Sequence, residues 1–232
     1  MAFDPDLGRV APSNVTLTVL DGWSQRATGL HPALDIPLAV GTPILAAADG
    51  VATRVVPTDS SDAGIFIALT HADGVVSRYL HLSQAQISQG QAVTKGQQIG
   101  LSGSTGLSGG PHLHFDLFVP QSLTAAVVQA VGKPSTGFFS DFGFGVGIPA
   151  EPWLPVDGYS ASVVANAKTL GIPLFRDRPQ TAVTVQETSH ATRDFFVGVA
   201  ALGTLVGLSW LALRFAKGAA MTLGRRRRYG RA

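Results

Sequence analysis

The feature that most constrains this chain is the nine-residue run PHLHFDLFV at 111–119. Leu113, Phe115, Leu117 and Val119 alternate with His112, His114, Asp116 and Phe118, and a period of two belongs to a β-strand with two unlike faces. The apolar face has to enter a core, and the two imidazoles then project together from the opposite face. Histidines two apart on a strand reach one small site, so the run predicts a sheet and a candidate metal centre at once. Cysteine is absent, which excludes disulfides, a thiolate nucleophile and cysteine-bound zinc. Any metal falls to histidine and carboxylate.

β signals are dense over the surrounding residues 29–119. GIFIALT (64–70) and VVSRYL (75–80) flank Ala72-Asp73-Gly74, which predicts a hairpin, and Val51 to Val56 adds another strand. With 27 Gly and 14 Pro in 232 residues, the chain is punctuated too often for a helical bundle. The expected fold class is mainly β, an antiparallel sheet or β-sandwich. That length suits one main domain, expected at 1–150 with its motif core at 29–119. Short helices are expected at Thr124 to Val131 and Ala161 to Leu170, a Gly/Phe-rich loop at Phe138 to Ile148, and a Pro/Gly-rich connector at 151–193.

Phe195 to Leu213 is 19 residues without a charge. At 1.5 Å per residue it spans roughly 28 Å, close to the thickness of a bilayer's hydrocarbon core. A single transmembrane helix at 194–214 is expected, in contact with lipid over 195–213. Gly203 and Gly207 form a GxxxG pair that suits a homodimer. Arg225 to Arg228 lie in the basic tail at 215–232. Under the positive-inside rule they put the C-terminus inside and the N-terminal domain outside. Up to residue 213 the chain holds ten basic against fifteen acidic residues, so no specific nucleic acid partner is expected for the main domain. MAFDPDLGRV has no apolar core of a secretory signal, and export is expected through the C-terminal span or another route.

Two further histidines carry weaker local signals. His31 and Asp35 stand four apart across a proline in HPALD, and they converge on one ion only if the backbone bends. His81 ends a strand in RYLHLS and by itself reads as structural. A Gly-rich loop, LSGSTGLSGG at 101–110, leads into the His-Leu-His strand.

Taken together, Gly29 to Leu117 resembles the catalytic domain of the LytM/lysostaphin-type zinc metallopeptidases, peptidase family M23. It carries HPALDI, GTPILAAADGVA, THADGVVSRYLHLS and VTKGQQIGLSGSTGLSGGPHLHFDL in that family's order. One departure is Ala33, where the family usually has glycine; it is expected to alter a loop without removing a ligand. The resemblance implies that His31, Asp35 and His114 bind zinc and that His81 and His112 line the water and substrate side, with their roles undivided. Three N/O protein ligands leave the fourth tetrahedral position open, the mark of catalytic zinc. It further implies a hydrolase that cuts peptide bonds in bacterial peptidoglycan, as a bacterial envelope enzyme or a phage virion lysin. The alternative is an inactive relative that binds peptidoglycan or serves as a structural membrane protein. His71 has no implied role, His190 reads as solvated or interfacial, and Asp116, though on the His112 face, is left outside the site.

Overall fold

The computed structural model describes residues 3–27, 29–134, 138–140 and 143–175. The apolar run 195–213, the basic tail and His190 lie outside these. Among the described residues no helix is long and apolar enough to cross a membrane.

The chain runs through β1 (Thr18–Val19), β2 (Ser24–Arg26), β3 (Gly29–His31), β4 (Leu34–Pro37), β5 (Pro43–Leu45), β6 (Gly50–Val56), β7 (Ile65–Thr70) and β8 (Val76–Leu82). It continues through β9 (Gln84–Ala85), β10 (Ala92–Val93), β11 (Gln98–Leu101) and β12 (His112–Val119). Helix α1 (Thr124–Val131), β13 (Phe139–Ser140), β14 (Val146–Ile148), β15 (Gly158–Tyr159) and α2 (Ala161–Leu170) close it. The main sheet is antiparallel, ordered β10-β6-β7-β8-β12-β14-β13, with β4 also paired to β12.

Strand β12 is the spine of this sheet, and its alternation sorts the two faces. Leu113, Phe115, Leu117 and Val119 are fully buried, alongside Leu34 and Ile36 of β4, Ile67 and Leu69 of β7 and Tyr79 of β8. Truncating any one of these large side chains to alanine costs about 2–5 kcal/mol. The β7–β8 hairpin turns through Asp73 and Gly74, both at positive φ (57° and 76°), the left-handed pair that matches strand twist. His71 is tied into a polar chain: its Nδ1 donates to the Asp49 carbonyl (2.9 Å), and Nε2 lies 2.7 Å from Ser77 Oγ, itself 3.1 Å from the Tyr79 hydroxyl. Burial lowers the His71 pKa and pushes Tyr79 up to about 12.

Two segments differ from the sequence expectation. Phe138 to Ile148 is not wholly a loop, because β14 pairs with the end of β12 and β13 pairs with β14; Ile148, fully buried, supplies the apolar contact. The described part of the expected connector packs on the domain. Strand β15 runs parallel to β1, Trp153, Leu154 and Val163 join the main core, and α2 is capped at its start by Ser160 and ended by Gly171 in the left-handed conformation. Arg9 forks onto Asp157 with bonds of 2.9 and 3.0 Å.

Candidate metal centre

The pairing of β12 with β4 brings the strand histidines to the His-x3-Asp segment. His114 lies opposite Asp35 in register, and because Leu34 and Ile36 point into the core, Asp35 emerges on the other face. The bend that HPALD required is supplied by the β2–β3 hairpin and by a bridge between Asp21 and Asp35. His31 Nε2 then sits 3.1 Å from Asp35 Oδ2, and His114 Nδ1 sits 3.0 Å from Asp35 Oδ1. The candidate ligand atoms of His31, Asp35 and His114 all lie within 4.8 Å of one another.

His81 reaches this face against its own alternation. On β8, Ser77 and Tyr79 point into the core and His81 should follow them. Its φ of +62°, uncommon for a residue with a side chain and concentrated at functional sites, turns it instead onto the His112 ring, 4.8 Å between centroids, and the His114 ring at 5.6 Å. Its Nδ1 hydrogen bonds to the Thr105 carbonyl at 2.8 Å. Gly64 holds that loop close: its φ is +64°, and a Cβ there would run into the Thr105 backbone.

The partner of each ring fixes its tautomer, since a carbonyl can only accept. His31 Nδ1 donates to the Gly22 carbonyl (2.9 Å), His112 Nδ1 to the Gly110 carbonyl (2.8 Å), and His81 Nδ1 to Thr105. In the neutral rings, Nε2 of each is left as a lone pair facing the site. His31 Nε2 is buried and has no hydrogen-bond partner among the described residues, an orphan a cation would satisfy. His114 is reversed: Nδ1 faces Asp35, while Nε2 faces Asp116 Oδ2 at 3.6 Å. Asp116 in turn is fully buried and bound by Arg78, with Arg78 Nε to Oδ1 at 2.9 Å and a second bond to Oδ2. Carboxylate–histidine pairs of this kind orient metal ligands, so Asp116, set aside in the sequence, belongs to the support of the site.

The electrostatics follow. Burial raises the Asp35 carboxyl, but its hydrogen bond with His114 and the His31 ring beside it outweigh burial and hold the group well below the usual carboxylate range. His114 is opposed by burial yet pushed up to about 9 by Asp116 and Asp35. Burial, together with the nearby charges of His114 and His112, draws His81 down to about 4 despite its bond to Thr105. Two nitrogens and a carboxylate oxygen, with no sulfur, form the donor set of an open zinc site. Asp116→Asn, which removes the charge behind His114, is expected to weaken zinc affinity about 10–100-fold in a chelator competition; an unchanged affinity would detach Asp116 from the site.

Sequence reasoning also missed Arg26, which pairs with Asp21 and reaches Asp35 Oδ2 at 3.1 Å, because nothing in the local pattern of SQR distinguishes it from a solvated cation. The cavity lined by Phe3, Asp6, His71 and Lys95 contains none of the five site residues.

Residues 29–125 match the family model for peptidase family M23. The chain is 42% identical over 89 residues to the peptidoglycan DD-endopeptidase ShyA of Vibrio cholerae, covering 38% of this chain and 20% of that protein. It is 42% identical over 87 residues to the DD-carboxypeptidase/endopeptidase Mpg of Neisseria meningitidis, again covering 38% and 20%. The chain thus spans about a fifth of the length of these relatives. Among solved structures, the catalytic domain of lysostaphin from Staphylococcus simulans shares 35% identity over 43% of this chain and 77% of its own, with a TM-score of 0.40. The segment that matches the M23 family model, residues 29–125, contains all five residues gathered at this centre.

Proposed function

We propose that the chain is a membrane-anchored zinc endopeptidase that hydrolyses peptide bonds in bacterial peptidoglycan. One observation carries the reading: His31, Asp35 and His114 turn their ligand atoms toward one point, with the His81 and His112 rings packed against each other beside it. Bound zinc supplies Lewis acidity there, polarising a scissile carbonyl and lowering the pKa of water to about 7. The chain's own residues do the rest. His81 is neutral at physiological pH and, with its Nδ1 proton committed to Thr105, presents Nε2 as a proton acceptor. His112, anchored through Gly110, presents its Nε2 3.6 Å from Asp35 Oδ1; once that nitrogen has taken up a proton from the attacking water, it is placed to donate to the developing oxyanion or to pass the proton to the leaving amine. The relatives named as peptidoglycan DD-endopeptidases support the substrate class.

In this reading the uncharged run 195–213 is a single lipid-embedded helix, Gly203 and Gly207 its dimer contact, and Arg225 to Arg228 the inner anchor. Such a tether serves a bacterial envelope and a virion membrane alike, and detection of the chain in purified particles decides for the virion. Incubating the full-length protein in detergent with purified sacculi is expected to release muropeptides with newly exposed peptide termini, identified by mass spectrometry, and His114→Ala to release none. Intact stem peptides and cross-links after incubation with the zinc-loaded wild type would end the endopeptidase reading.

A further inference from the structure

The ligand His31 is held from outside the family-matched segment. Its Nδ1–H donates to the Gly22 carbonyl, and the next peptide N–H, that of Trp23, donates to Glu151 Oε1 at 2.5 Å. Glu151 is 1% exposed, and its other oxygen, Oε2, has no hydrogen-bond partner among the described residues. The carboxylate lies so close beneath the loop that a Cβ on Gly22 would meet Oε1 at 2.6 Å. Trp23 is packed with Ala167, Ile172 and Leu174, so α2 and the residues after it grip the same loop. Burying a carboxyl is costly unless its bonds make it useful. Glu151 takes no part in the chemistry proposed above, and burial pushes it up to about 7.

We infer that Glu151 is a positioning residue of the metal centre, holding the Gly22–Trp23 peptide so that the Gly22 carbonyl fixes the His31 ring with Nε2 toward the metal. The inference rests on the zinc reading of the site. It assigns the 150–175 segment a role the sequence did not suggest: the far end of the domain sets the orientation of the first ligand. The active element is the hydrogen bond to Trp23 N–H, which an isosteric amide oxygen preserves.

The test is zinc affinity of the full-length protein, measured by competition with a chromophoric chelator, with the visible spectrum of the cobalt-substituted protein as a second readout. Glu151→Ala is expected to weaken zinc affinity about 10–100-fold and to alter the cobalt spectrum, while Glu151→Gln stays within about threefold of wild type. An affinity for Glu151→Ala within about threefold of wild type overturns the proposal, as does equal destabilisation of the metal-free and zinc-loaded forms in thermal melts, the mark of a purely structural role. Should Glu151→Ala fail to fold, Gly22→Ala carries the test, because its Cβ forces carboxylate and loop apart. It is expected to lose about tenfold in zinc affinity, and no loss overturns the proposal. If wild type binds zinc no more tightly than His114→Ala, the zinc reading itself fails. Tight binding by wild type with no response to Glu151 sinks the positioning role alone.

Discussion

His114→Ala is expected to abolish zinc binding and activity together, a loss on the order of 10⁴-fold or more in kcat/KM. His114 is the joint of the site. Its Nδ1 meets Asp35, its Nε2 faces the buried Asp116–Arg78 pair, and its ring packs edge-on against His31 with centroids 5.1 Å apart. Removing it leaves two ligands and strips the Asp116 carboxylate of one partner. The raised pKa of His114, about 9, adds a pH signature. In the metal-free protein this ring holds a proton at neutrality, and a ligand must shed it to bind metal. Calorimetry in two buffers of different ionisation enthalpy is expected to show about one proton released per zinc near pH 7.5, with affinity rising about tenfold per pH unit toward 9. The stability of the metal-free protein runs the other way. A histidine whose folded pKa lies above its unfolded value stabilises fully below about 6.5 and loses that contribution as pH rises through about 9. The metal-free protein is therefore expected to melt at lower temperature at pH 9 than at 6.5, and the opposite order would contradict the assignment of the proton to His114.

The elements legible in the sequence are those written in local periodicity. The alternation in 111–119 named the buried and the site-facing residues of β12, and Ala-Asp-Gly between two apolar runs named the β7–β8 hairpin. The helices at 124–131 and 161–170 lie where the sequence placed them, each ended by a glycine, Gly132 and Gly171. His31 and Asp35 were weak signals alone and became specific only beside His112 and His114. What escaped was whatever depends on pairing between distant segments. Gly22, Glu151 and Arg26 lie where no repeat or motif marks them, and their meaning comes from the β2–β3 hairpin folding beside β4 and from 150–175 closing over the same loop. Asp116 was seen on the right face, but its ion pair with Arg78 needs the β8–β12 register, in which the two are directly opposite. For His81, which the resemblance put on the substrate side, alternation along β8 points to the core, and only its positive φ takes it out of the core-facing set.

That backbone turn at His81 leads to the second large effect. His81→Ala and His112→Ala are each expected to lower kcat by about 10²–10⁴-fold while zinc affinity stays close to that of wild type, because neither ring is needed as a ligand. This separates them from His114→Ala, which loses metal and activity together, and a His81 or His112 variant that sheds zinc would move that residue into the ligand set. His81, drawn down to about 4 by burial and by its histidine neighbours, stays neutral far below the ordinary histidine range. Acidification from pH 7 to 5 is therefore not expected to protonate it, and activity lost in that window comes from protons competing with zinc at His114. Raising the zinc concentration at pH 5.5 is expected to restore most of the rate. If saturating zinc leaves an acid limb centred near 6.5, a catalytic group of ordinary histidine pKa controls the reaction, and His81 is not the proton acceptor.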